Sequence, residues 1–448
     1  MLKHYTEDLT RGPLAKQILV FSIPLIFSNL LQVLFNMADL AVVGRFSGSL
    51  TLGAVGSTSS LVFLYTGFLI GMAGGINVLT ARHFGGKDER ALRETVHTAL
   101  LLCLVMGIIL LLCGLLFSRP LLHLLNTKPE LIDSAALYLK IYFLGMPAMA
   151  LYNFGNAVFS AVGDTRRPLF YLSIAGVANV LLNLFFVVVC GMDVDGVAIA
   201  TVISQYISAF LVVRALFRST TAYGLRRSEL RMSPHCCRAL LGLGIPSGLQ
   251  FAIFTIANLF TQYGLNTFDA TIVSGSAAAG NAETLVFEVL AAFNTACGSF
   301  IGQNLGAKNK TRIKKSFFIS LAYCVGSALL SGCLMLLFGP QFLSLFTKEA
   351  AVVEAGMYRI TISACSIWIS SIMDCTISAS RGLGKTVVPT VILIFFSCIF
   401  RIIWIFTVFA HFGTITSLYL LYAFSWGLSS ITEVAYFIHS YRKITQHL

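Results

Sequence analysis

Long apolar stretches, each closed by a short polar or glycine-bearing break, follow one another along almost the whole chain. They occupy 15–43, 51–80, 92–117, 131–160, 168–190, 195–218, 238–265, 272–302, 316–338, 352–380, 387–410 and 415–440. An α-helix needs about 20 apolar residues to cross a hydrocarbon core roughly 30 Å thick. Every stretch meets that length, so the pattern predicts an all-α polytopic membrane protein with twelve transmembrane helices.

The breaks themselves repeat. Pro24 is echoed by Pro246, the loop Arg82-His83-Phe84-Gly85-Gly86-Lys87 by Gln303-Asn304-Leu305-Gly306-Ala307-Lys308, and Gly163-Asp164-Thr165 by Gly384-Lys385-Thr386. An offset of about 221 residues shared by separate landmarks marks two homologous halves. Six helices per half is an even number, so both halves enter the membrane from the same face and form a parallel repeat. The reading is of two pseudo-symmetric six-helix lobes, 1–218 and 238–448, joined by the polar linker 219–237. Gly67-x-x-x-Gly71-x-x-x-Gly75 lines small residues along one helix face for close packing. Pro24, Pro147 and Pro246 fall inside helices 1, 4 and 7, where each removes a backbone hydrogen bond.

Composition agrees: 57% of residues are hydrophobic and 11% charged, against about a quarter charged in soluble domains. The net charge of +12 concerns topology rather than nucleic acid. Twenty-four of the 31 Lys and Arg lie in the N-terminal tail and the loops after even-numbered helices. The opposite loops hold only Arg45, Arg119, Lys128 and Lys348. That asymmetry predicts both termini in the cytoplasm. The polar first dozen residues lack a small-residue cleavage site, which makes helix 1 an uncleaved anchor. Nine of eleven cysteines sit in apolar runs and none has zinc-ligand spacing, so they read as small hydrophobes.

Ionisable groups inside apolar runs are the candidates for chemistry, because the bilayer penalises each by at least about 2.5 kcal/mol. Asp39, in the outer half of helix 1, has no acidic counterpart in the second half, where Phe260 and Thr261 stand. Asn179 and Asn183, four apart on helix 5, share a face, and Thr201 follows on helix 6. One carboxylate, two amide oxygens and a hydroxyl suit a small hard cation; Asp39 alone can carry a proton. In the second half, Glu288 and Asp374 are candidates for attracting a cationic substrate or holding the coupling ion, or for pairing with Arg401. Glu283 and Glu433 read as leaning toward water near the two membrane faces. Aromatic residues are 12% of the chain, enough to line a cleft for flat lipophilic cations.

Taken together, Pro24…Asn36-Met37-Ala38-Asp39…Gly44-Arg45, Ala81-Arg82-His83-Phe84-Gly85, Ala161-Val162-Gly163-Asp164-Thr165 and Gly302-Gln303-Asn304-Leu305-Gly306-Ala307 resemble the multidrug and toxic compound extrusion (MATE) transporters. The likeness is to the bacterial type near the DinF and NorM branches, and it spans both halves. It implies two six-helix lobes in a V around a central cavity, in the bacterial inner membrane. It also implies export of cationic amphipathic compounds by antiport with Na⁺ or H⁺, with no other cofactor. By the same resemblance Asp39, Asn179, Asn183 and Thr201 form the cation site. Two departures stand out: DinF relatives often carry Asp at the position of Asn183, and the helix-7 glutamate of NorM types is absent from Phe251–Leu265.

The alternative in the same superfamily is a flippase for lipid-linked oligosaccharide precursors, which should line its cleft with bases to hold a pyrophosphate. Lys140, Arg359 and Arg401 are the intramembrane bases here, against several acids. An enzyme is not indicated: His83, His97 and His123 fall in or near loops, and no nucleophile–base motif or Walker sequence occurs. The expected working form is a monomer in the lipid bilayer, with small-molecule partners and no nucleic acid.

Overall fold

A computed structural model describes residues 8–46, 48–125 and 127–446, and all regular structure among them is helical. The long elements of the first half are α1 (Leu14–Phe46), α2 (Gly48–Gly85), α3 (Glu89–Leu124), α4 (Pro129–Phe143), α5 (Met146–Ala161), α6 (Arg166–Asn183) and α7 (Val194–Phe217). Those of the second are α8 (Pro234–Leu265), α9 (Ala270–Gly306), α10 (Lys310–Leu343), α11 (Ala350–Gly382), the short α12 (Val387–Ile394), α13 (Phe400–Trp404) and α14 (Ala410–Phe412), and α15 (Ile415–Gln446).

Ten helical segments are long and apolar enough to span a membrane, among them Val387–Phe412, which runs through α12, α13 and α14. The fourth expected span is broken: α4 and α5 meet at a 47° bend. Pro147 has no N–H to offer the carbonyl of Phe143, and a Cβ on Gly145 at the corner would strike the Gln205 side chain. Counting this pair as one gives eleven. The last expected span, α15, has ample length at 32 residues, but its serines, threonines and buried glutamate make it less apolar.

The two halves repeat each other down to individual backbone angles. Among the described residues, Lys87 and Lys308, one offset apart, are the two non-glycine residues with positive φ, 55° and 56°. Asp88 and Asn309 each cap the next helix, accepting from the N–H of Ala91 and Arg312 at 3.0 and 3.1 Å. π-Helical turns recur at Leu184–Val189 and Ile405–Phe409.

Compact packing divides the chain into residues 27–248 and residues 9–26 with 249–448. The division runs through α1 and α8, whereas the sequence suggests the polar segment 219–237. Packing supplies the reason. The first half of α8 lies on α2 because Gly71 and Gly75 have no Cβ to hold off Gly244, Ser247 and Gly248. In the other unit, Leu14, Ile18, Phe21 and Leu25 of α1 bury against Ala292, Ala296 and Phe300 of α9. Ala292 and Ala296 are the repeat equivalents of Gly71 and Gly75. Each half's first half-helix is thus received by the same small-residue face of the other half's second helix.

The approaches to these half-helices are pinned. Leu9 donates its N–H to Gln303 at 3.1 Å, and its carbonyl accepts from Asn304 and Arg312. Segment 219–237 is likewise docked on its own unit: the Arg226 N–H donates to His97 Nε2 at 2.9 Å and Ser233 N–H to Thr98 at 3.1 Å. His97 is therefore no loop residue; it is buried inside α3, with Nδ1 against the Arg93 carbonyl.

Candidate membrane cation site

Helices α1, α6 and α7 bring together the four polar residues singled out in the first half. Asp39 is 8% exposed, Asn179 4% and Asn183 fully buried. Asn183 Nδ2 donates a short hydrogen bond to Asp39 Oδ1 and a longer one, 3.3 Å, to Asn179 Oδ1. The single proton of the Thr201 hydroxyl is shared between the Val197 carbonyl at 3.0 Å and Asp39 Oδ2 at 3.3 Å. Asn179 Nδ2 closes the ring on Thr201 Oγ1 at 3.5 Å. The carbonyl oxygen of Asn183 is buried with no hydrogen-bond donor of its own.

Local sequence explains the approach. The four-residue spacing of Asn179 and Asn183 aligns them on α6, and the π-helical turn begins directly after Asn183. Such turns often mark functional positions in helices. Gly176, one turn earlier, lies against the ring of Phe35 so closely that a Cβ would overlap it. The bare glycine lets α6 reach α1 where Asp39 stands.

Three further residues belong to this neighbourhood. Tyr138 and Tyr142 of α4 are buried within electrostatic reach of Asp39, and Gln205 of α7 lies beside Tyr142. Their four-residue spacing inside an apolar run was the available sequence signal, but nothing there said that α4 faces α1.

The repeat-equivalent positions in the second half are Phe260, Phe400, Trp404 and Tyr422. Phe260, Phe400 and Trp404 pack into an apolar cluster with Leu265, Ile405 and Leu418; the rings of Phe400 and Trp404 lie 5.8 Å apart. The oxygen ring therefore has an aromatic counterpart, and this grouping of polar side chains belongs to one half alone.

The acids of the second half do different things. Glu283 is bound by Arg359 at both oxygens, 3.0 and 2.6 Å, and also accepts from Ser363, while Arg359 donates to the hydroxyl of Ser276 at 2.7 Å. This is a bidentate clasp between α9 and α11 rather than a water-facing carboxylate. Glu433 is fully buried and neither of its oxygens has a hydrogen-bond partner among the described residues, so it does not lean toward water either. It lies in electrostatic reach of Asp374, which accepts from Ser370 at 3.4 Å and also senses Arg381. Glu288, on α9, is half-buried.

Arg401 pairs with neither Glu288 nor Asp374. Fully buried, it donates to Ser425 and Asn258 at 3.2 Å each and lies between the rings of Phe254 and Tyr422, 5.2 and 4.7 Å away.

Comparison with known proteins accords with this arrangement. The MatE sequence profile matches the chain twice, over residues 24–185 and 246–407. The chain is 30% identical to the probable multidrug resistance protein YpnP of Bacillus subtilis, over 78% of each protein. It is 27% identical to the probable multidrug resistance protein YoeA of the same organism, over 87% of this chain and 86% of that one. Its fold matches a multidrug resistance MATE family transporter of the MOP superfamily, solved in an outward-facing conformation. The TM-score is 0.91 at 20% identity, over the full length of both chains. With one profile matched in both halves and a relative this similar along most of its length, the chain belongs to the MatE family of multidrug and toxic compound extrusion transporters.

Proposed function

We propose that this transporter exports cationic amphipathic compounds by antiport with Na⁺ or H⁺, the coupling ion binding at Asp39, Asn179, Asn183 and Thr201. The observation that carries the reading is the buried oxygen ring around a lone carboxylate. An ionised Asp39 in the bilayer interior needs compensation, and the unpartnered Asn183 carbonyl adds an oxygen suited to a hard cation. A proton on Asp39 offsets the same cost. Ion occupancy then biases the equilibrium between inward-open and outward-open states, as any ligand with different affinities for two states must. Substrate release and ion binding exclude one another in this scheme. The names of YpnP and YoeA, both probable multidrug resistance proteins, support a broad drug-like substrate range.

Glu288 and Asp374 are assigned to attracting the cationic substrate. The working unit is one chain in the bacterial inner membrane, with both termini cytoplasmic. The flippase alternative gains little: Arg359 is engaged by Glu283, Arg401 is enclosed by aromatic rings, and only Lys140 is an exposed intramembrane base.

The test is ethidium efflux from proteoliposomes under an imposed Na⁺ gradient and then an imposed H⁺ gradient, for wild type and Asp39→Asn. One gradient should drive efflux in the wild type, and the near-isosteric variant should fold, insert and lose it. Undiminished gradient-driven efflux by Asp39→Asn would refute the site.

A further inference from the structure

On an exposed face of the first unit, α7 and α5 border a groove of about 700 Å³ that ends among arginines. Its apolar wall runs along α7 through Tyr206, Phe210, Val213 and Phe217, with Leu151 opposite. Phe210 is 62% exposed and Tyr206 47%, and the Tyr206 hydroxyl donates to the Leu144 carbonyl at 3.0 Å, fixing that ring. At the far end stand Arg214, in the last turn of α7, and Arg226 and Arg227 of the docked segment. Arg226 shares its charge with Glu229 at 3.4 Å. Arg214 lies 5.9 Å from the Phe210 ring; neither it nor Arg227 has an acidic partner among the described residues.

We propose that this groove binds an anionic phospholipid, one acyl chain along the aromatic wall and the phosphate at Arg214 and Arg227. Length is the first argument. From Tyr206 to Arg214, eight residue steps of α-helix rise about 12 Å, most of one leaflet of a hydrocarbon core about 30 Å thick. The groove is thus apolar over most of one leaflet before its first arginine and basic where headgroups lie, with Phe217 among the arginines. Charge is the second. Three arginines repel the organic cations assigned as transport substrates and attract an anionic headgroup. The groove's position, on an exposed face and beside the site's own helices, is the third: α7 also carries Thr201, so an occupant here braces a helix of the cation site. The backbone holding Arg226 is itself anchored to His97 of α3, so the basic end is preformed rather than a loose surface.

The experiment uses purified, delipidated full-length protein titrated with phosphatidylglycerol, phosphatidylcholine or inorganic phosphate. Bound lipid is counted by native mass spectrometry and the unfolding temperature is followed in parallel. Phosphatidylglycerol should bind and raise the unfolding temperature where phosphatidylcholine and phosphate do not. Arg214→Gln/Arg227→Gln should weaken phosphatidylglycerol binding by roughly 30-fold and leave the lipid-free unfolding temperature unchanged. Should the double variant not fold, Arg227→Gln alone, on an exposed residue outside α7, should weaken it roughly fivefold. Equal binding of the two lipids, the same stabilisation by phosphate alone, or undiminished phosphatidylglycerol affinity in a folded variant would each overturn the proposal.

Discussion

Glu283 and Asp39 are both buried carboxylates in helices that cross the bilayer, yet their surroundings separate them. Glu283 has a guanidinium bound at both oxygens and a serine hydroxyl besides, so its charge is answered by the fold. Asp39 has only neutral donors, and in the proposed scheme its charge is answered by the coupling ion. Removing one partner of a buried ion pair strands the other charge and costs about 3–5 kcal/mol. Glu283→Gln should therefore lower stability by about 3 kcal/mol in thermal or denaturant unfolding in detergent. An apolar pair, Glu283→Leu/Arg359→Met, should recover most of that loss. If the double variant is no more stable than the single one, the clasp is not what that measurement reads. Asp39 was legible in the sequence as an acid in one repeat and not the other. Glu433 was not, because a glutamate near the end of an apolar run looks the same whether it turns to water or to the interior.

At the scale of elements, the proposed cation site depends on how closely α6 approaches α1, and Gly176 sets that distance against Phe35. Gly176→Val places branched carbon where the Phe35 ring lies, an overpacking that costs about 1–3 kcal/mol, and parts Asn183 from Asp39. The variant should insert in the membrane, unfold at a lower temperature and lose gradient-driven efflux. Adding Phe35→Ala makes room and should restore part of both; unchanged efflux by Gly176→Val alone would show that the approach of the helices is not needed. The Asn179/Asn183 spacing announced a shared face, and the long apolar runs announced their helices. The bend between α4 and α5 was signalled by Pro147 but not by its size, which also depends on Gln205 occupying the space beside Gly145. The π-helical turns left no recognisable mark, since apolar residues fit either helical winding.

Across the whole molecule, the two polar systems lie in different compact units, Asp39 in one and the Glu283–Arg359 clasp in the other. Substitutions without shared partners add within about 0.3–0.5 kcal/mol. The stability change of Asp39→Asn/Glu283→Gln should therefore equal the sum of the single changes, measured by unfolding in the same detergent. A departure beyond about 1 kcal/mol would mean that the two polar systems are energetically coupled. Such independence is what a pair of separately packed units joined through α1 and α8 would give.

The sequence alone determined the helices, their all-α membrane character, the two-fold repeat and the acid that stands out from it. These follow from local rules: the length a bilayer demands, the cost of charge inside it, and the recurrence of landmarks. Tertiary structure decided which helices are neighbours, and with that everything that depends on contact across them. It showed that α1 and α8 give their first halves to the opposite unit, because Gly71 and Gly75 on one side, and Ala292 and Ala296 on the other, leave room for them. It placed Tyr138 and Tyr142 beside Asp39, tied Glu283 to Arg359 and enclosed Arg401 in aromatic rings. Hydrophobicity tells a membrane helix only that it is to be buried; within lipid it does not choose the partner. That choice is made by the shapes of small and large side chains meeting across helices, and those shapes take effect only once the chain has folded.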